Sequence, residues 1–171
     1  MNKNTKKLTL MAILTAVALI IFIIEAMIPL PIPVPGVKLG LANAVTLFAL
    51  FSNQKLTTQN AFIILFCRII LGALFVGRPL TIIYSLAGGL LAFAAQVVMK
   101  RFVSQKQIWV CGAVGAVFHN IGQISAAVLI TGTPAIVIYL PVLMVAGIFT
   151  GVLTGIIAQL TLARLKPQGI V

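Results

Sequence analysis

The stretch that decides the fold is Leu8–Ile28, LTLMAILTAVALIIFIIEAMI, 21 residues with a single charged member, Glu25. A helix needs about 20 apolar residues to cross roughly 30 Å of hydrocarbon, so this run is long enough to span a bilayer. It follows a basic start, Met1–Lys7, as the core of a secretory signal does. It is longer than the apolar core of such signals, about 7–15 residues. No Ala-x-Ala site follows it, so it reads as a retained first span.

Working outward, the pattern repeats between Pro, Gly and charged breaks. Pro29–Lys38 (PLPIPVPGVK) cannot be regular helix, because each proline removes a donor and restricts the residue before it. Leu39–Phe51 is a short second span that protein, rather than lipid, must shield at its outer end. Leu56–Phe75, Pro79–Met99, Ile108–Thr131 and Pro134–Ala163 follow. Pro79 suits a first helical turn, and Pro141 either kinks the sixth span or sits near its start. The expectation is an all-α membrane protein: one integral domain over residues 1–171, with six transmembrane helices and no soluble domain or clear repeat.

Composition agrees. The chain is 61% hydrophobic and 8% charged, with a mean hydropathy of +1.22, where soluble domains carry about 25% charged residues. Lys and Arg total 12 against one acidic residue, a formal charge of +11. A lone carboxylate cannot form an acid–base pair, a Walker B aspartate or an aspartate cage for magnesium, so no catalytic residue is assigned and no enzyme is expected. Cys67 and Cys111 lie in apolar runs and read as reduced packing residues. With no Gly-rich phosphate loop of the G-x-x-x-x-G-K-[ST] type, ATP would have to be used by a partner.

Orientation follows from the positive-inside rule. With the N-terminus in the cytoplasm, Lys3, Lys6, Lys7, Lys55, Lys100, Arg101, Lys106, Arg164 and Lys166 all fall inside, nine of the twelve cations. These set topology and touch anionic lipid. Nucleic-acid binding is not expected, because no basic soluble face with interleaved aromatics exists. The expected location is the cell membrane, multi-pass, with both termini inside.

Polar groups at membrane depth are costly and mark function. Arg68, about two-thirds of the way across span three, is the sharpest. It either pairs with Glu25, serves as a cationic post for an anionic ligand, or snorkels. In Phe118–Gln123 (FHNIGQ), His119 and Gln123 share a helix face, and Asn120 lies three residues from Gln123. These three form either a ligand pocket or a satisfied structural cluster. One histidine with no thiol or carboxylate beside it is not a metal site. Lys38 at an outer mouth, Asn43 one turn inside and Arg78 before span four complete the candidate substrate-binding set: Lys38, Asn43, Arg68, Arg78, His119, Asn120 and Gln123. Tyr84 and Phe75 are candidate aromatic walls. Ala12-x-x-x-Ala16 and Gly147-x-x-x-Gly151-x-x-x-Gly155 permit close helix approach, within the chain or to a partner.

PGVKLGLAN (Pro35–Asn43), CRIILGALFVG (Cys67–Gly77) and FHNIGQ together resemble the Gx transporter family, also labelled heptaprenyl diphosphate synthase component I, and the likeness covers nearly the whole chain. That family is similar to the substrate-binding S components of energy-coupling factor (ECF) transporters. The resemblance implies six helices with both ends inside, an outward pocket capped by the loop at Pro29–Lys38, and docking of Ala12 and Ala16 on a transmembrane coupling subunit with its ATPases. It implies a small anionic vitamin or cofactor as ligand, with a flavin (FMN or FAD) as candidate, and no resident cofactor. The alternative is a non-catalytic membrane subunit of a prenyl diphosphate synthase. A third reading is an autonomous channel or structural membrane protein.

Overall fold

The computed structural model describes residues 2–28, 40–52, 56–76 and 80–165. Among them there are helices and turns and no strand. The order is α1 (Lys3–Met27), α2 (Asn43–Phe51), α3 (Thr58–Val76), α4 (Leu80–Met99), α5 (Ile108–Thr131) and α6 (Leu140–Leu165), with short 3-10 turns at Gln105–Gln107 and Pro134–Tyr139.

Five of these helices are long and apolar enough to cross a membrane. The second is the exception. α2 has 9 residues, about 13 Å at 1.5 Å per residue, less than half a bilayer. All of it after Asn43 is buried. The expected second span over residues 39–51 is therefore a short internal helix, shielded by protein along its length rather than at one end.

Local chemistry sets the other boundaries. Ser104 and Gln107 form a reciprocal capping box before α5. Gly132 takes the left-handed conformation, φ +63°, and ends α5 as helix-terminating glycines do. Pro134 opens the following 3-10 turn, and Pro141 falls in the first turn of α6 and does not kink its middle.

α5 lies between α4 and α6, α1 rests on α3, and α2 fills the space among α1, α3 and α6. The core gathers Leu47, Leu50, Ile64, Leu65, Ile69, Ile108 and Cys111. The α5–α6 seam is built on glycine: a Cβ on Gly155 would fall 2.5 Å from the Cα of Trp109, and one on Gly151 would fall 2.5 Å from the carbonyl oxygen of Gly112. Only such residues let backbones approach this closely in lipid. The outer surface is apolar, with Phe75, Leu129, Ile138 and Phe149 exposed. A surface like this is stable against hydrocarbon and not against water; the chain is a membrane protein.

Three contacts align the helix ends. Asn60 at the start of α3 reaches Met11 Sδ at 3.3 Å. Lys100, just past α4, donates to the Leu50 carbonyl at 2.6 Å. Gly155 lies on Trp109. The starts of α1, α3 and α5 and the ends of α2, α4 and α6 thus share one end of the bundle, which carries Lys6, Lys7, Lys100, Arg101, Lys106 and Arg164. Lys55 and Lys166 lie outside the described residues.

Candidate functional site: a small polar cavity inside the bundle

Away from the basic end, a small cavity is lined by Phe22 and Glu25 of α1, Gly40, Arg68 of α3, Ser85 of α4, and His119 and Gln123 of α5. Its volume is about 10 Å³, room for about one water molecule. Arg68, Glu25, His119 and Gln123 are each more than nine-tenths buried.

Each side chain is placed by its helix. Phe22 and Glu25, three apart, share one face of α1. The Phe22 ring lies under Arg68, with the guanidinium carbon 5.9 Å from its centroid, a cation–π arrangement. Gly72, one turn beyond Arg68, makes room for that ring: a Cβ there would fall 2.6 Å from it. Arg68 Nη2 donates to Asn43 Oδ1 at 3.1 Å. Asn43 begins α2 and is held by a turn in which its own N–H donates to the Gly40 carbonyl at 2.9 Å. Gly40 has φ +80°, a conformation natural to glycine and strained for other residues. The Gly40 N–H donates to the Glu25 carboxylate.

α5 supplies the rest. A Cβ on Gly88 would meet the His119 carbonyl oxygen and Gln123 Cγ, both at 2.8 Å, so α4 and α5 touch backbone to side chain here. The His119 ring lies against Gly88, where a Cβ would fall 3.0 Å from its Cε1. On three lining residues a buried polar atom lacks a hydrogen-bond partner among the described residues: Arg68 Nε, His119 Nδ1 and Gln123 Oε1. Most buried polar atoms are satisfied, so three around one cavity call for an explanation.

Of the expected site residues, Asn43, Arg68, His119 and Gln123 come together here. Asn120 does not: its Nδ2 donates to the Leu143 carbonyl at 2.6 Å and packs on Gly147, tying α5 to α6. Lys38, Arg78 and the loop Pro29–Lys38 lie outside the described residues. Phe75 is turned outward and Tyr84 packs with Ala126 and Ala127, so neither lines the cavity. Phe22 and Ser85 escaped the sequence reading, although the spacing Phe22-x-x-Glu25 on one helix face was available. Glu25 shares the cavity with Arg68 and attracts it electrostatically, so the arginine is not an uncompensated charge.

A second feature is an apolar groove of about 390 Å³ between α1 and α3, lined by Ala12, Thr15 and Ala16 with Ile63, Cys67 and Leu71 among others. Ala12 and Ala16 are exposed in it. Cys67 and Cys111 are both free thiols. No cluster of three His, Cys, Asp or Glu residues suited to a metal occurs among the described residues.

A polyhelical membrane protein with a buried charged cavity is the class that fold and site define. The heptaprenyl diphosphate synthase component I family matches over residues 14–161, and the chain belongs to that family. No curated protein and no solved structure matches it.

Proposed function

We propose that this protein is the substrate-binding membrane subunit of a larger transport complex, an S component of the ECF type, and that it takes up a small organic ligand with an anionic group held by Arg68. The observation that carries the reading is the cavity itself. Six polar or charged side chains and one aromatic ring from five helices converge on it, with three buried polar atoms unpartnered among the described residues. Buried polar groups in a membrane interior are expensive, and a ligand supplies the missing partners. Arg68 keeps Nε available beside its Nη2 bond to Asn43, a charged donor of the kind that holds carboxylate and phosphate oxygens. The positive-inside rule turns the basic end to the cytoplasm of the cell membrane and the cavity toward the outside.

The groove at Ala12 and Ala16 supports a docking role for α1. Among the described residues 17% of the α1 span is buried, the same share as for α6, and the small residues in the α1 groove admit a partner helix closely. The coupling subunit and its ATPases supply the energy. A flavin such as FMN is the candidate that the resemblance offers for the anionic ligand.

The test has two arms. Ala12→Trp, which fills the groove, abolishes co-purification with a coupling subunit while ligand binding persists. Arg68→Met abolishes ligand binding while docking persists. If both variants keep both properties, the proposal fails. The family's name favours a second reading, a non-catalytic accessory subunit of a prenyl diphosphate synthase. In that case the chain co-purifies with a soluble, Asp-rich synthase and stimulates chain elongation.

A further inference from the structure

The cavity contains more than a cation, and its other polar groups define what the ligand must bring. Arg68 offers a donor, Nε–H. The Ser85 hydroxyl, also in the lining, can donate or accept, and three further groups offer acceptors. Glu25 contributes a carboxylate. His119 Nδ1 is buried and unpartnered among the described residues, and a neutral imidazole can accept a hydrogen bond at that nitrogen. Gln123 contributes Oε1, an acceptor only.

We infer that the ligand is zwitterionic, placing a carboxylate on the Arg68 guanidinium and a protonated amine among Glu25, His119 Nδ1 and Gln123 Oε1. The inference rests on the receptor reading above and narrows it. An ammonium group has three N–H donors and no acceptor, and the cavity presents three acceptor groups beside one cationic donor. A ligand carrying negative charge alone would bring it next to the Glu25 carboxylate in a poorly solvated interior, where like charges repel strongly. It would also leave Nδ1 and Oε1 without donors, and buried unpaired acceptors weaken binding. A ligand carrying positive charge alone meets the same difficulty at Arg68. A zwitterion satisfies both ends and adds no net charge to the membrane interior, where charge is costly. Its entry requires the cavity, about 10 Å³ here, to widen.

The test uses the full chain in lipid nanodiscs. The protein is mixed with a defined panel: the twenty amino acids, the water-soluble vitamins, and FMN. Retained compounds are identified by native mass spectrometry. Each binder is then compared by calorimetry with its analogue in which hydrogen replaces the amine. The expected result is retention of a compound bearing both carboxylate and protonated amine, with the analogue binding at least about tenfold more weakly, the loss expected for a charge-assisted contact. Glu25→Gln, which keeps an acceptor for the Gly40 N–H, is expected to erase most of that tenfold difference. Retention of FMN or another compound without a protonated amine, or an analogue that binds equally well, overturns the inference and leaves the receptor reading standing. If the wild-type protein retains nothing from the panel, both fall. The wild-type comparison does not depend on any variant folding.

Discussion

Gly122→Ala tests whether the α4–α5 seam sets the geometry of the cavity. Gly122 lies against the α4 backbone: a Cβ there would sit 2.5 Å from the Ala87 carbonyl oxygen and 2.8 Å from Gly88 Cα, where ordinary contact begins at 3.4 Å. Backbone atoms cannot swing aside, so α4 and α5 must part locally by close to 0.9 Å, the difference between 3.4 and 2.5 Å. The neighbours on this seam are Gly88, His119 and Gln123, so the displacement falls on the cavity. Binding sites need their groups held within about 0.5 Å. Overpacking costs about 1–3 kcal/mol, offset by the roughly 1 kcal/mol by which alanine exceeds glycine in helices, leaving a net loss of about 1 kcal/mol. Gly89→Ala is the control. Its nearest neighbour is Ile69 Cδ1 at 2.9 Å, the tip of a side chain that can rotate, so the variant keeps the helical gain without parting the helices. Thermal unfolding in detergent, read by a thiol dye reaching the buried Cys111, should show Gly122→Ala melting lower and Gly89→Ala unchanged or higher. Ligand affinity should fall at least about tenfold for Gly122→Ala only, as loss of alignment in a preorganised site implies. Equal melting and equal affinity in the two variants would refute the seam argument.

Asn120→Ala removes the bond to the Leu143 carbonyl. It should lower stability by about 0.6 kcal/mol, the average for interhelical hydrogen bonds in membranes, and by no more than about 1.7, and leave ligand affinity unchanged; lost affinity would return Asn120 to the site. Lys100→Met removes a donor to the Leu50 carbonyl and a cation 5.9 Å above the Phe51 ring. Amide exchange at the end of α2 should quicken about fivefold, as expected for roughly 1 kcal/mol of lost local stability. Unchanged exchange would mean that Lys100 does not hold α2.

Much of this was legible in the sequence, and the parts that were not share a cause. Apolar runs and Pro or Gly breaks mark the long helices, because lipid imposes length and hydropathy on any span. α2 was visible as too short, but its complete burial was not, because hydropathy is the same for a lipid-facing and a protein-facing helix. Arg68, His119 and Gln123 stood out as polar groups in apolar company. Proximity in the chain groups Asn120 with them. On a helix, His119 and Gln123 lie about 40° apart, whereas Asn120 is turned about 100° from His119, which carries it from the α4 side to the α6 side. Phe22 and Ser85 were missed because an apolar phenylalanine and a lone serine say nothing until helix rotation is known. Glu25 was weighed as a possible partner for Arg68; that the same carboxylate also holds the Gly40 N–H depends on a turn with φ +80°.

The placement of charge bears on both functional readings. Desolvating each member of a buried ion pair costs several kcal/mol, and apolar replacements are often as stable or more so. This bundle has other means of holding together: glycine seams joining α4, α5 and α6, and a continuous apolar core around α2. The placement of Arg68 and Glu25 in one cavity is therefore a poor device for stability, and on the receptor reading its chemistry is recognition. The same placement limits what the chain could contribute to a prenyl diphosphate synthase. That reaction ionises an allylic diphosphate with magnesium held by several carboxylates. The single acidic residue, Glu25, is buried in the cavity with Arg68 and engaged by Gly40. On the accessory reading the metal and the ionisation belong to the partner, because the one carboxylate of this chain is already engaged inside the bundle.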